Sequence, residues 1–309
     1  MLTKRKRRIL FYLSILAFLA LLFPVLLYSL GYGITKDFKI SKTGGIYIKS
    51  SLSGASVKVN GKVKHTSLLG YSALLKNILP GNHVVSVEKD GFWTWEKTLP
   101  VFAEAVTSRN ALMIPKDLTG KILGTSSPKI KELKPIFPSV KKYWPLPNSQ
   151  NFLILGEDKK FYKNKDPFDA VDAWGEAPVE ILRSGKNSFF DENLNRLIFW
   201  DKNIIGSYWI GDSDKMPEWE ILAAKDNLAD KDKPIYSSLK EIRGVALYPD
   251  WTDYLIVAVS NGVFALELDS TGGQNIFPLY KGKMPNIVSI ESGKIILKDE
   301  ANYIELELP

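Results

Sequence analysis

Residues 9–30, ILFYLSILAFLALLFPVLLYSL, carry no charge across 22 positions and follow directly on Lys4, Arg5, Lys6, Arg7 and Arg8. No other stretch limits the chain's options as much. As a helix it would rise about 33 Å, close to the thickness of a bilayer's hydrocarbon core. Fifteen of its residues are Leu, Ile, Phe or Val, each favouring the membrane centre by roughly 0.3–0.6 kcal/mol, so insertion is expected despite Pro24. The five cations ahead of Ile9 hold that end in the cytoplasm and send everything after Leu30 outside. The first expected partner is therefore the lipid bilayer, with residues 1–8 as a cytoplasmic tail and a single-pass topology. Tyr28 and Tyr32 stand where interfacial aromatics are expected. A buried core helix fits poorly, because no face of the segment is polar. A cleaved signal peptide remains open, with Ser29 and Gly31 as small residues of a cleavage site, although signal-peptide cores run about 7–15 residues and this one is longer. Both readings export the rest of the chain.

The absence of cysteine removes disulfides, thiolate metal sites, Cys nucleophiles and a lipidated N-terminal Cys, and suits a bacterial surface protein held together by packing. There is no Asn-x-Ser/Thr glycosylation acceptor. The net charge of +7 hides a division: residues 31–142 hold 18 cations against 7 carboxylates, and residues 143–309 hold 18 against 27. A basic half beside a membrane suits contact with anionic lipid or wall polymer. Its lysines are scattered singly, however, which is the pattern of solvated strand edges and not of a phosphate-binding patch. Nucleic acid is not an expected partner.

Residues 31–115 read as a small β-sandwich. Ile46 and Ile48, Val57 and Val59, and Val85 and Val87 alternate with polar neighbours, the period of a sheet with one buried face. Asn60-Gly61 supplies the two positive φ angles of a tight hairpin, and Pro80-Gly81-Asn82 and Asp90-Gly91 mark further turns. The ordered set of Gly45-Ile46-Tyr47-Ile48-Lys49-Ser50-Ser51, Gly54 to Gly61, Leu79-Pro80-Gly81-Asn82 with the run to Val87, and Lys89-Asp90-Gly91-Phe92 resembles the PEGA domain. That resemblance implies a compact extracytoplasmic β-module used as a spacer or adhesion element, with no catalytic residue to carry over. His65 and His83, the two histidines, are not spaced as metal ligands. Trp93 and Trp95 are the candidate glycan-stacking pair; the alternative is packing on a neighbouring strand.

Residues 116–142 read as a Pro/Lys-rich linker, because proline at Pro128, Pro135 and Pro138 removes ladder donors and favours extended backbone. Beyond it, in residues 143–309, one unit of strand, polar turn and strand recurs. Its starts at Phe152, Leu197, Leu255 and Ile295 lie 45, 58 and 40 residues apart, near the period of a propeller blade. The runs from Val245 through Tyr248-Pro249-Asp250 to Ala258, and from Phe189 to Phe199, resemble TolB-like propeller repeats. The expected fold is thus all-β: an N-terminal transmembrane helix, a small sandwich, and a propeller-like domain of four imperfect units, closed or incomplete. An insertion at 211–242 is expected to form a short exposed helix.

No motif commits the chain to chemistry. The acidic loops at Asp191 and Asp212 lack the glycine and distal glutamate of a calcium loop and read as Asx-type turns. Glu267 and Asp269 could pair as glycosidase acids only by geometry that sequence does not give. No cofactor, metal or catalytic residue is assigned. The expected function is non-catalytic: an anchored extracytoplasmic protein that binds a cell-wall polymer or envelope protein, through a face where Asp212, Asp250, Trp251 and Gly272 gather. The rivals are an envelope glycan hydrolase using distal carboxylates and the outer part of a sensor, which with eight residues before the span would need a partner's cytoplasmic domain.

Overall fold

The computed structural model describes residues 3–35, 37–66, 70–128, 134–221, 234–291 and 293–309. The chain is mostly β and divides into two compact units, Met1–Met113 and Ile114–Pro309.

The first unit begins with α1 (Lys4–Ser29), which runs back through the basic residues and buries none of its side chains. Among the described residues it is the one helix long and apolar enough to cross a membrane; by length and composition it suits a membrane span or a signal sequence. A hairpin follows, β1 (Tyr32–Ile34) with β2 (Ile40–Lys42). Then come β3 (Gly44–Ser50), β4 (Ser56–Val59), β5 (Lys62–Thr66), β6 (Ser72–Ile78), β7 (Gly81–Glu88), β8 (Trp95–Val101) and β9 (Val106–Ala111). They form two sheets, β6-β3-β9 with β3 and β9 parallel, and antiparallel β5-β4-β7-β8. The alternation read from the sequence is the core: Ile46, Ile48, Val57, Val59, Val85 and Val87 are all buried. Asn60 (φ 51°) and Gly61 (φ 77°) make the expected hairpin turn.

The second unit contains β10 (Gly120–Gly124), β11 (Val140–Pro145), β12 (Phe152–Gly156), β13 (Phe161–Lys163), β14 (Asp166–Pro167), α2 (Ala170–Trp174) and α3 (Glu176–Arg183). It continues with β15 (Asn187–Phe190), β16 (Arg196–Asp201), β17 (Ile204–Trp209), β18 (Tyr236–Ser237), β19 (Ile242–Tyr248), β20 (Trp251–Val259), β21 (Gly262–Glu267) and β22 (Ile276–Lys281), and ends with β23 (Asn286–Glu291), β24 (Lys294–Asp299) and β25 (Asn302–Glu307). These make four antiparallel sheets: β11 to β14, β15 to β18, β19 to β22, and β23-β24-β25-β10. The four repeated strand pairs of the sequence are the middle pairs of these sheets.

One expectation needs correcting. The stretch taken as linker supplies β10, the outer strand of the fourth sheet, because β25 would otherwise leave a row of unpaired backbone groups. The sequence also left α2 and α3 unread. Asp169 caps α2 by accepting from the N–H groups of Val171 (3.0 Å) and Asp172 (3.2 Å), and α3 buries Val179 and Leu182. In the insertion, residues 218–221 are helical; the rest of the expected helix lies outside the described residues.

The first three sheets pack face to face in succession. Leu197 of β16 joins Trp144, Leu153, Val179 and Phe190 in a core between the first and second sheets, while its neighbour Ile198 joins Val245, Leu255, Val257 and Leu266 between the second and third. First strands also approach one another. Trp144 Nε1 donates to Ser188 Oγ (2.9 Å), Arg243 Nε donates to the Pro285 carbonyl (3.2 Å), and a Cβ at Gly244 would sit 3.0 Å from Asn286 Oδ1.

Candidate functional site

In the second unit the turns between the first and second strands of the sheets collect at one end. Asn148, in the first sheet's turn, donates from Nδ2 to the Glu192 carbonyl in the second sheet's turn (2.9 Å). Glu192, then Pro249 and Asp250 of the third sheet's turn, and Gly293 of the fourth, line a cavity of about 580 Å³ together with Leu247 and Val288. The turn residues are held by local chemistry. Asp191 Oδ1 accepts from the N–H groups of Asn195 (2.7 Å) and Arg196 (2.9 Å), so this carboxylate closes its own turn. Asp250 adopts φ 60° in a two-residue turn between the paired Tyr248 and Trp251.

Beside the Asp191 turn lies a buried ion pair that the sequence did not disclose. Arg196 Nη2 donates to Glu220 Oε2 at 2.5 Å, with side-chain exposures of 3% and 18%. The guanidinium lies 5.5 Å from the Trp209 ring and 5.1 Å from the Trp219 ring. Burial pushes the Glu220 carboxyl above its ordinary value; Arg196 opposes this, and Asp253 and Asp191 add to it. The pair ties the insertion after β17 to the second sheet. Its only trace in the sequence is a set of isolated Trp, Arg and Glu residues, since Arg196 and Glu220 stand 24 positions apart.

Of the four expected site residues, Asp250 alone lines the cavity. Asp212 pairs its carboxylate with Lys215 at 2.7 Å on the surface, which holds it below the usual carboxylate range, while its carbonyl accepts from Trp209 Nε1 (3.1 Å). Trp251 is half-buried, edge-on to Tyr254 at 6.1 Å, and Gly272 (φ 67°) sits in the exposed loop after β21. The glycan-stacking pair is corrected: Trp95 is wholly buried in the first unit's core and Trp93 precedes β8, so the two rings share no open face. Glu267 accepts from Asn275 Nδ2 (2.7 Å) and Asp269 accepts from the Thr271 N–H (2.8 Å), so both carboxylates fold the loop between β21 and β22. His83 bridges Asn60 Nδ2 (2.9 Å) and the Leu79 carbonyl (2.8 Å). The side chain of His65 lies outside what is described. Among the described residues, no three His, Asp or Glu side chains converge as a metal-binding group.

A two-sheet β-module behind an apolar helix is the class this geometry defines for the first unit. Comparison gives it a family: residues 43–116, about a quarter of the chain, match the PEGA domain. No curated protein matches the sequence. Among solved structures, the chain is similar to the AfRom2 CNH domain at 10% identity and a TM-score of 0.29, over 73% of this chain and 61% of that one. The chain thus spans less than two thirds of that structure, and a likeness so slight carries no fold. Nothing in the comparisons supports the TolB-like resemblance of residues 143–309.

Proposed function

We propose that this is a single-pass, N-in membrane protein of a bacterial envelope whose exported part binds without catalysis, taking a wall polymer or envelope protein in the cavity at Glu192 and Asp250. The observation that carries the reading is the convergence of three successive turns, at Glu192, Asp250 and Gly293, on one cavity of about 580 Å³, a size suited to a ligand group. Loops on a rigid scaffold are where binding residues concentrate.

In this reading the four sheets are the blades of a small β-propeller, with the first strands innermost. Three features support it: the four-stranded meanders, the closing of the fourth sheet by the N-terminal strand β10, and the burial of Ile154 and Ile256 on the faces turned away from the cores described above. The test uses the full chain in nanodiscs, incubated with its own envelope fraction and with isolated wall glycan. Capture should be lost in Glu192→Arg and Asp250→Arg. Unchanged capture, or glycan turnover that depends on a distal carboxylate, contradicts the proposal.

A further inference from the structure

We propose that the tip of the β1–β2 hairpin is a second membrane contact, lying in the headgroup layer of the bilayer that α1 enters. The inference rests on α1 being a span. Large apolar side chains left uncovered along α1 continue past its end: Leu30 is 70% exposed, Ile34 62%, Phe38 90% and Ile40 55%. In a soluble β-domain such a run would be covered or replaced by polar residues.

The exposure is built in by the tip's hydrogen bonds. Thr35 N–H donates to the Lys39 carbonyl (2.9 Å), Phe38 N–H donates to the Thr35 carbonyl (3.0 Å), and Lys39 N–H donates to Thr35 Oγ1 (3.1 Å). These bonds hold Phe38 at φ 58°, a left-handed conformation that a bulky residue rarely adopts. Strain spent on displaying an aromatic side chain points to a contact.

The hairpin is also tethered near the helix. Thr43 donates to the Gly31 carbonyl through its N–H (2.8 Å) and its hydroxyl (2.7 Å), and Gly33 leaves room that a Cβ would lose to Leu79 and Thr43, both at 2.9 Å. Ile34 stands four residues beyond Leu30, so even extended chain keeps it within about 15 Å of the helix end. The order of residues suits the interface: Phe38 and Ile40 flank Lys39, whose stem packs with apolar groups while its ammonium meets lipid phosphate. Asp37 stays at the aqueous side of the headgroups.

Because the chain has no cysteine, one introduced thiol reports one position. An environment-sensitive fluorophore is placed at Ile40→Cys, Leu19→Cys or Lys62→Cys in the full chain, in nanodiscs of phosphatidylcholine and phosphatidylglycerol. The Ile40 label should emit to the blue of the Lys62 label, resist iodide and be quenched by headgroup-proximal spin-labelled lipid. Adding Phe38→Asp to the Ile40-labelled chain should move its emission back toward that of Lys62. The proposal is overturned if the Ile40 label is as open to iodide as the Lys62 label, or is shielded from iodide yet untouched by the lipid quencher, which would mark a protein partner. A Leu19 label in lipid with an Ile40 label in water sinks this proposal alone. A Leu19 label in water removes the span, and this contact with it.

Discussion

In the first unit β6 and β8 alternate in burial, whereas β12 and β20 of the second unit do not. In β6 and β8 every second residue faces water or the domain rim, so Leu74 is 48% exposed and its neighbour Leu75 is 6% exposed. In β12 all five residues are buried, and in β20 so are Tyr254 to Val259. A sheet with one packed face gives alternation; a sheet between two others gives a continuous apolar run. The lesson is that similar strands build a core in two ways, β6 and β8 with one packed face and β12 and β20 with both faces covered.

The strongest challenge to that contrast is truncation at consecutive positions. Leu255→Ala and Ile256→Ala should each destabilise the second unit by about 2–5 kcal/mol, because both leave cavities in packed cores. In β6, Leu75→Ala should cost a similar amount and Leu74→Ala under about 0.5 kcal/mol. Denaturant unfolding of the detergent-solubilised full chain measures all four. Equal, small effects for one of the β20 pair would break the two-faced account.

A smaller effect is expected where β10 closes the fourth sheet. A Cβ at Gly120 would lie 2.5 Å from Ile304 Cγ2 and 2.9 Å from Leu306 Cδ2. Gly120→Val should therefore cost about 1–3 kcal/mol by overpacking and speed amide exchange in β25 while leaving the first unit unchanged. Slow exchange in β25 of the variant would mean that the fourth sheet does not depend on its outer strand.

The smallest effect sharpens the comparison through pH. Across β4 and β7, Lys58 Nζ bonds Glu88 Oε2 at 2.6 Å and holds that carboxyl below its usual range. Its contribution is present above an ordinary glutamate pKa of about 4.3 and is lost as pH falls through the lower folded value. Glu220 behaves in the opposite sense. Its folded pKa is raised mainly by burial, so its contribution is present below about 4.3 and is lost as pH rises through the folded value. Acid titration of stability should then flatten in Glu88→Gln for the first unit and in Glu220→Gln for the second, with opposite initial slopes. The same slope for both would contradict the burial of Glu220.

Much of this architecture was legible because it is local. Asn60-Gly61 dictates its hairpin, and the middle strand pairs of all four distal sheets are apolar runs broken by short polar turns. What escaped is non-local or featureless. The residues of β10 are exposed except for Gly124, so no periodic pattern marks them, and their partner β25 lies near the other end of the chain. The helices α2 and α3 span five and eight residues, too short for a periodic signal to stand out. For the site, the turn at Asp250 could be read from Pro249-Asp250 between strands. The partnership of Glu192, Asp250 and Gly293 could not, because sheet packing brings them together.

Photo-crosslinking in intact cells tests the binding claim most directly. A benzophenone amino acid is placed at Glu192 or Asp250, and for comparison at Lys159 or Lys202, in turns between second and third strands. The account predicts adducts to one common species from Glu192 and Asp250 and none from Lys159 or Lys202. Adducts only from Lys159 and Lys202, or none from either end, would contradict it.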